Sequence, residues 1–364
     1  MQFFVDFLVL ILSTYLAFAN FLAMKIENLL PPQEEVAITE EKEEVEEVSL
    51  FNSLPSVFNT SEIPDLLLKN KEYQRASIST SNVNLTVNDP LKALVNIYCT
   101  FTTPTSIRTT TGTGFFIHSD GVILTNAHVA QYLLLEKTEL LGDAECLVRT
   151  GNPAKAEYQA ELLYMPPTWV EKNASLIDSK APTGTGERDY ALLYVKNSVT
   201  NTPLPAHFPA LAINTNLLPI TVKGQDVNAL GYPATDLIKN GANTPLLPKT
   251  ATTSISELYT FGSNYADVFS VKGSNVGAEG SSGGPVINKD GEVIGMIVTR
   301  GDDEIDGAGS LRAITLSHIN RTITEETGFA LEKNISGNLP QRSLIFTNTL
   351  APFLVQLLTL ELKN

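Results

Sequence analysis

Between Leu91 and Ser317 the chain is cut into about a dozen short apolar runs, rich in β-branched and aromatic residues and separated by Gly, Pro, Asn and Thr clusters. Runs of four to eight residues are strand length, and turn residues at this spacing argue for an all-β barrel or sandwich. A parallel α/β sheet would need helical stretches between the runs. The clearest helical candidates are short, at His128 to Leu134 and Leu316 to Glu326. With 364 residues and a hydrophobic content of 43% the chain can bury a full core.

The two ends have a different texture. Phe3 to Met24 is apolar apart from Asp6, and as a helix it would reach roughly 33 Å, enough for a hydrocarbon core of about 30 Å. A cleaved signal peptide is the rival, because Ala17-Phe18-Ala19 offers a small-residue cleavage site. The missing basic leader and the continuing apolar run favour an uncleaved anchor. Glu34 to Glu47 carries eight glutamates and one lysine, about half of the net charge of -15. Such a run buries too little apolar surface to offset its ordering entropy and reads as a solvated tether. The expected organisation is therefore an anchor or signal over 1–25, an acidic linker over 26–89, with a short helix near Ile63 to Lys69, a β-rich domain over 90–328 and a C-terminal extension over 329–364. Leu344 to Leu362 is interrupted by Asn348, Pro352, Gln356 and Glu361, too broken for a second span. It is expected to form a terminal helix with Phe353, Leu354, Leu357 and Leu358 on one stripe, packing on the β domain or on a partner subunit.

No basic patch stands out, which argues against nucleic acid as a partner. Cys99 and Cys146 are the only cysteines, and both lie in strand-like runs. An exported chain would permit a disulfide between them, with two buried free thiols as the other reading. Neither has metal-ligand spacing, so no metal site is expected.

Three local motifs carry chemistry. Thr125-Asn126-Ala127-His128 follows an apolar run, at a turn before a short helix; Arg188-Asp189-Tyr190 opens a buried run; Gly280-Ser281-Ser282-Gly283-Gly284-Pro285 flanks a serine with glycines. Each alone is more often structural: a surface histidine, a turn aspartate, a glycine loop. Together, with the blocks around Gly112 to Val129 and Glu279 to Val298, they resemble the trypsin-like serine proteases, particularly the HtrA-type branch, over about residues 90–325. The order His, Asp, Ser is the order that family uses.

That resemblance implies a fold of two six-stranded antiparallel β-barrels and a triad of His128, Asp189 and Ser282. It implies an oxyanion hole of the Gly280 and Ser282 backbone N–H groups, no cofactor, and protein or peptide substrates. Val276, Gly277 and Ala278 would belong to the specificity pocket. Val276 stands where trypsin has an acidic floor, so a small or medium apolar pocket is expected. Ser281 replaces the aspartate that zymogen enzymes use to capture a freed amino terminus, so activation by that salt bridge is not expected. No PDZ module is expected after the barrels. A cell-envelope location, with the N-terminal segment in the membrane and the protease domain outside the cytoplasm, fits the first residues. The acidic and leucine-rich ends leave a homo-oligomer open, and loss of turnover in a protease-fold scaffold is a further alternative. An α/β-hydrolase esterase would also fit Gly280-x-Ser282-x-Gly284, with Asp302, Asp303 or Asp306 and His318. It requires a helix directly after the serine, where the sequence reads as a hairpin.

Overall fold

The structure is a computed structural model that describes residues 65–77, 84–102, 107–136, 143–178, 186–241, 244–262, 264–273 and 276–362. The apolar segment at residues 3–24 and the acidic run at 34–47 lie outside the described residues.

The strands form in the apolar runs. β1 (Leu94–Thr102), β2 (Ile107–His118), β3 (Val122–Thr125), β4 (Asp143–Thr150), β5 (Lys155–Tyr164) and β6 (Ala191–Ser198) close into an antiparallel barrel in the order β1-β2-β3-β6-β5-β4. After β7 (Ala212–Ile213), a second ring is formed by β8 (Asp226–Gly231), β9 (Lys249–Tyr259), β10 (Val268–Val271), β11 (Pro285–Ile287), β12 (Glu292–Arg300) and β13 (Leu311–Thr315). It runs β11-β8-β9-β10-β13-β12 and closes through a β11–β12 pairing, with β7 added parallel to β12. Closure leaves no open edge to aggregate and puts alternate side chains inside. β3 and β6, buried from end to end over most of their length, read as continuous apolar runs for that reason. The expected pair of six-stranded barrels is the observed fold.

Helices are short and lie around the barrels. α1 (Asp65–Lys69) and α2 (Lys71–Ala76) precede α3 (Pro90–Ala93), which leads into β1; α4 (Ala127–Ala130) and α5 (Tyr132–Leu135) follow β3, and α6 (Pro167–Asn173) follows β5. α7 (Thr235–Asn240) lies between β8 and β9. The chain ends in α8 (Leu316–Thr327), α9 (Leu331–Asn334), α10 (Leu339–Thr349) and α11 (Ala351–Leu362). Thr315 caps α8 by accepting from the His318 N–H at 3.0 Å, and Gly328 ends it in the left-handed region.

α10 packs on β5 and α2, and α11 on α6 and the 3-10 turn Ala174–Asp178. Leu354 and Leu358 are buried there, while Phe353 and Leu357 are half-buried. The terminal stripe thus packs on the β domain. No single described helix is long and apolar enough to cross a membrane.

Residues 65–77, within the stretch whose composition marks it as a linker, are stitched to this layer. Leu67 and Tyr73 are buried, and the fully buried Arg342 of α10 donates to the Tyr73 hydroxyl at 2.9 Å. The same guanidinium donates to the carbonyls of Lys333, Asn334 and Ser336. A cation on the last carbonyls of α9 complements that helix end without a carboxylate.

Cys99 and Cys146 stand opposite each other in the β1–β4 register and are joined by a disulfide. It closes a loop of 47 residues. Replacing both by Ser is expected to lower stability by about 2–4 kcal/mol, read as a lower urea midpoint with a slope that rises as the unfolded chain becomes less compact.

Candidate active site

β3 delivers its chain end to the crevice. Thr125 ends the strand, Asn126 turns the backbone, and His128 sits in the first turn of α4. Asp189 immediately precedes Tyr190 and β6, the strand paired with β3, so strand pairing brings the two residues together across 61 positions. His128 Nδ1 lies 2.8 Å from Asp189 Oδ2, and the His128 backbone N–H donates to Oδ1 at 3.0 Å. An ionised carboxylate only accepts, so Nδ1 carries the proton in this pair. Asp189 is 0% exposed and His128 4%. Asn126 Nδ2 donates to the Asp189 carbonyl at 2.9 Å, which ties the two segments a third time.

Behind Asp189, Arg188 is held in the left-handed region at φ 57. Its guanidinium pairs with Glu326, and with Glu325 at 2.9 Å, both on α8. Glu326 also bonds Tyr164 and Thr168. Burial pushes the Glu326 carboxyl above the usual range, against the pull of Arg188. Nothing in the local sequence marks a glutamate near a helix end as a partner of residue 188, and sequence reasoning missed it.

Ser282 lies on the turn between β10 and β11. Gly280 has φ 91 and Gly283 φ 89, values that a side chain disfavours. The Glu279 carbonyl accepts from the Ala234 N–H at 2.7 Å, and the Ser281 carbonyl from the Gly284 N–H at 2.9 Å. In a planar trans peptide the N–H points opposite the carbonyl. The N–H groups of Gly280 and Ser282 are therefore turned away from those contacts, and neither has an acceptor among the described residues. At Gly283 an added Cβ would stand 1.9 Å from the Thr113 carbonyl. Gly283→Ala is expected to cost at least about 2 kcal/mol in a urea melt, from the strained φ and the backbone clash together.

His128 and Ser282 line one cleft of about 350 Å³. The Ser282 hydroxyl donates to the Val298 carbonyl at 3.2 Å, and His128 Nε2 makes no hydrogen bond among the described residues. Ala278, Val298 and Leu311 line the same cleft. Val276 lies in the core of the second barrel instead, and Gly277 is half-buried; neither lines this cavity.

The esterase alternative does not fit. Strand β11, not a helix, follows Ser282 at Pro285. His318 is bonded to Asp267 at 3.2 Å, and Asp306 is committed to Tyr259 and Arg312. Among the described residues no His, Cys, Asp and Glu cluster could hold a metal ion.

Two closed six-stranded barrels that share a cleft lined by a histidine and a serine define the fold class of the trypsin-like peptidases. The model of the trypsin-like peptidase domain matches residues 112–296, a span that includes His128, Asp189 and Ser282, and the chain belongs to that family. Among solved structures, the Rv3671c protease from M. tuberculosis in its active form is similar. It has 20% identity over 72% of this chain and 97% of that chain, with a TM-score of 0.40. The inactive form of the same protease has 22% identity over 65% and 89%, with a TM-score of 0.37. No curated protein matches the sequence.

Proposed function

We propose that the chain is a serine endopeptidase in which Ser282 is the nucleophile, His128 the general base and Asp189 the group that orients and stabilises the imidazole. The observation that carries this reading is the buried Asp189–His128 pair opening onto the cleft that also contains Ser282. A serine hydroxyl is a weak nucleophile until a base takes its proton. As the hydroxyl attacks the scissile carbonyl, Nε2 receives that proton, and Asp189 stabilises the imidazolium. The tetrahedral oxyanion is held by the unspent N–H groups of Gly280 and Ser282. Collapse expels the amine, which takes the proton back from Nε2, and water then cleaves the acyl-enzyme by the same steps.

One observation favours a second reading, a scaffold with a silent triad: the Ser282 hydroxyl is bonded to Val298, not to His128. A change of χ1 between staggered wells redirects it, and catalytic bonds often tighten only when substrate is bound. Incubation with an unfolded protein such as reduced casein separates the two. Fragments formed by the wild type and absent with Ser282→Ala support the endopeptidase; an intact substrate supports the scaffold.

The proposed enzyme is of the HtrA type and acts on exported or misfolded proteins in the cell envelope, anchored by the N-terminal segment. The apolar character of Phe3 to Met24 supports the anchor. Ala278, Val298 and Leu311 on the cleft wall support a preference for small or medium apolar residues before the cleaved bond. A peptide library is expected to show Ala, Val or Leu there; cleavage after Lys or Arg would refute it.

A further inference from the structure

Thr113 lies in β2, fully buried, between Gly112 and Gly114. It belongs to the first barrel, yet most of its polar contacts reach the second. Its N–H donates to the Ser282 carbonyl at 2.8 Å. Its hydroxyl donates to the Gly280 carbonyl at 2.6 Å and accepts from the Tyr232 N–H at 2.9 Å. Its own carbonyl accepts from the Thr125 hydroxyl at 2.7 Å, which ties this contact back to the strand that leads into His128. One hydroxyl thus uses its single proton on the nucleophile loop and a lone pair on the segment beside it.

The placement matters because of what Gly280 is. Glycine has the widest backbone freedom of any residue, so its conformation must be imposed from outside. Two peptide planes meet at its Cα. The plane before it carries the Gly280 N–H and is held by the Ala234 N–H on the Glu279 carbonyl. The plane after it is held from both sides, by the Thr113 hydroxyl on the Gly280 carbonyl at 2.6 Å and by the Ser281 N–H on the Ala278 carbonyl at 3.2 Å. Among the described residues, no other side chain bonds the backbone of residues 280–282. With both planes fixed, φ and ψ of Gly280 are fixed, and so is the direction of its N–H.

We propose that the Thr113 hydroxyl is a positioning group that holds the Gly280 N–H aimed at the developing oxyanion. The proposal rests on the serine-endopeptidase reading and names a residue of the other barrel as part of its machinery. Its action is on the transition state alone: it touches no substrate, so ground-state binding is unaffected.

The test compares Thr113→Val, which removes the hydroxyl at constant shape, with Thr113→Ser, which keeps it. A chromogenic peptide substrate and a peptide aldehyde, whose adduct carries the oxyanion, are the probes. Thr113→Val is expected to lower kcat by roughly 10–10²-fold, below the loss seen when an oxyanion donor itself is removed because the Gly280 N–H stays in place but is less firmly aimed, with KM unchanged within about threefold. Aldehyde inhibition should weaken in parallel, and Thr113→Ser should restore both. If Thr113→Val does not fold, Thr113→Ala removes the same hydroxyl from a smaller side chain, and Ala as active as Ser would overturn the proposal. Wild-type kcat in Thr113→Val, or a loss confined to KM, overturns it while leaving the endopeptidase intact. A wild-type protein that neither hydrolyses the peptide nor binds the aldehyde overturns both.

Discussion

Ser282→Ala is expected to lower kcat by on the order of 10⁶ while leaving the fold unchanged. The size follows from the proposed covalent catalysis: in that mechanism no acyl-enzyme could form without the hydroxyl, and His128 and Asp189 would have no proton to move. The unchanged fold follows from the structure. Ser282 is half-buried, and the one bond its hydroxyl makes among the described residues, to the Val298 carbonyl at 3.2 Å, is worth about 0.5–1.5 kcal/mol. Thermal melts of wild type and variant should therefore superimpose within a few degrees. His128→Ala should cost about as much in turnover, and the double variant little more, because the pair acts as a unit. Two independent losses that multiply would mean that the residues do not cooperate.

Asp189→Asn is expected to lower kcat by about 10⁴, less than either of those but through a more specific fault. Both carboxylate oxygens are committed, Oδ1 to the His128 backbone N–H and Oδ2 to Nδ1. An asparagine can satisfy the backbone N–H only through its oxygen, which turns its amide NH₂ toward Nδ1. Nδ1 must then accept, the proton moves to Nε2, and the nitrogen facing the cleft can no longer serve as a base. KM should hold, since the cleft wall is untouched. Asp189→Ala should in addition destabilise by about 1–3 kcal/mol, because it leaves the buried His128 N–H without an acceptor. Turnover in Asp189→Asn close to wild type would remove Asp189 from the mechanism.

Much of this was legible in the amino-acid sequence because it is locally encoded. Strand length and turn chemistry announced an all-β barrel or sandwich, the resemblance narrowed it to two barrels, and the stop of an apolar run at Thr125 put His128 at a strand end. Glycines around Ser282 marked backbone that no side chain could follow, and Gly280 and Gly283 do take positive φ. Distance-dependent features were hidden. The short helix expected near Ile63 to Lys69 is present at Asp65–Lys69, but Lys71–Ala76 was hidden: it buries little by itself and is bonded to Arg342 and Thr327, more than 250 positions away. Thr113 reads as an ordinary strand residue until the second barrel is placed beside it. Val276, placed in the specificity pocket by the family resemblance, packs in the second core, while Ala278, Val298 and Leu311 line the cleft. Counting along a chain locates a residue; only the backbone path decides which way it faces.

The account depends on positions 128, 189 and 282 working as one site. Treatment with a fluorophosphonate, followed by peptide mapping in a mass spectrometer, tests this most directly, since only an activated serine reacts. The account predicts a single adduct on Ser282, absent from Ser282→Ala and formed at least about 10³-fold more slowly in His128→Ala. An adduct elsewhere, or labelling of Ser282 at an unchanged rate without His128, would contradict it.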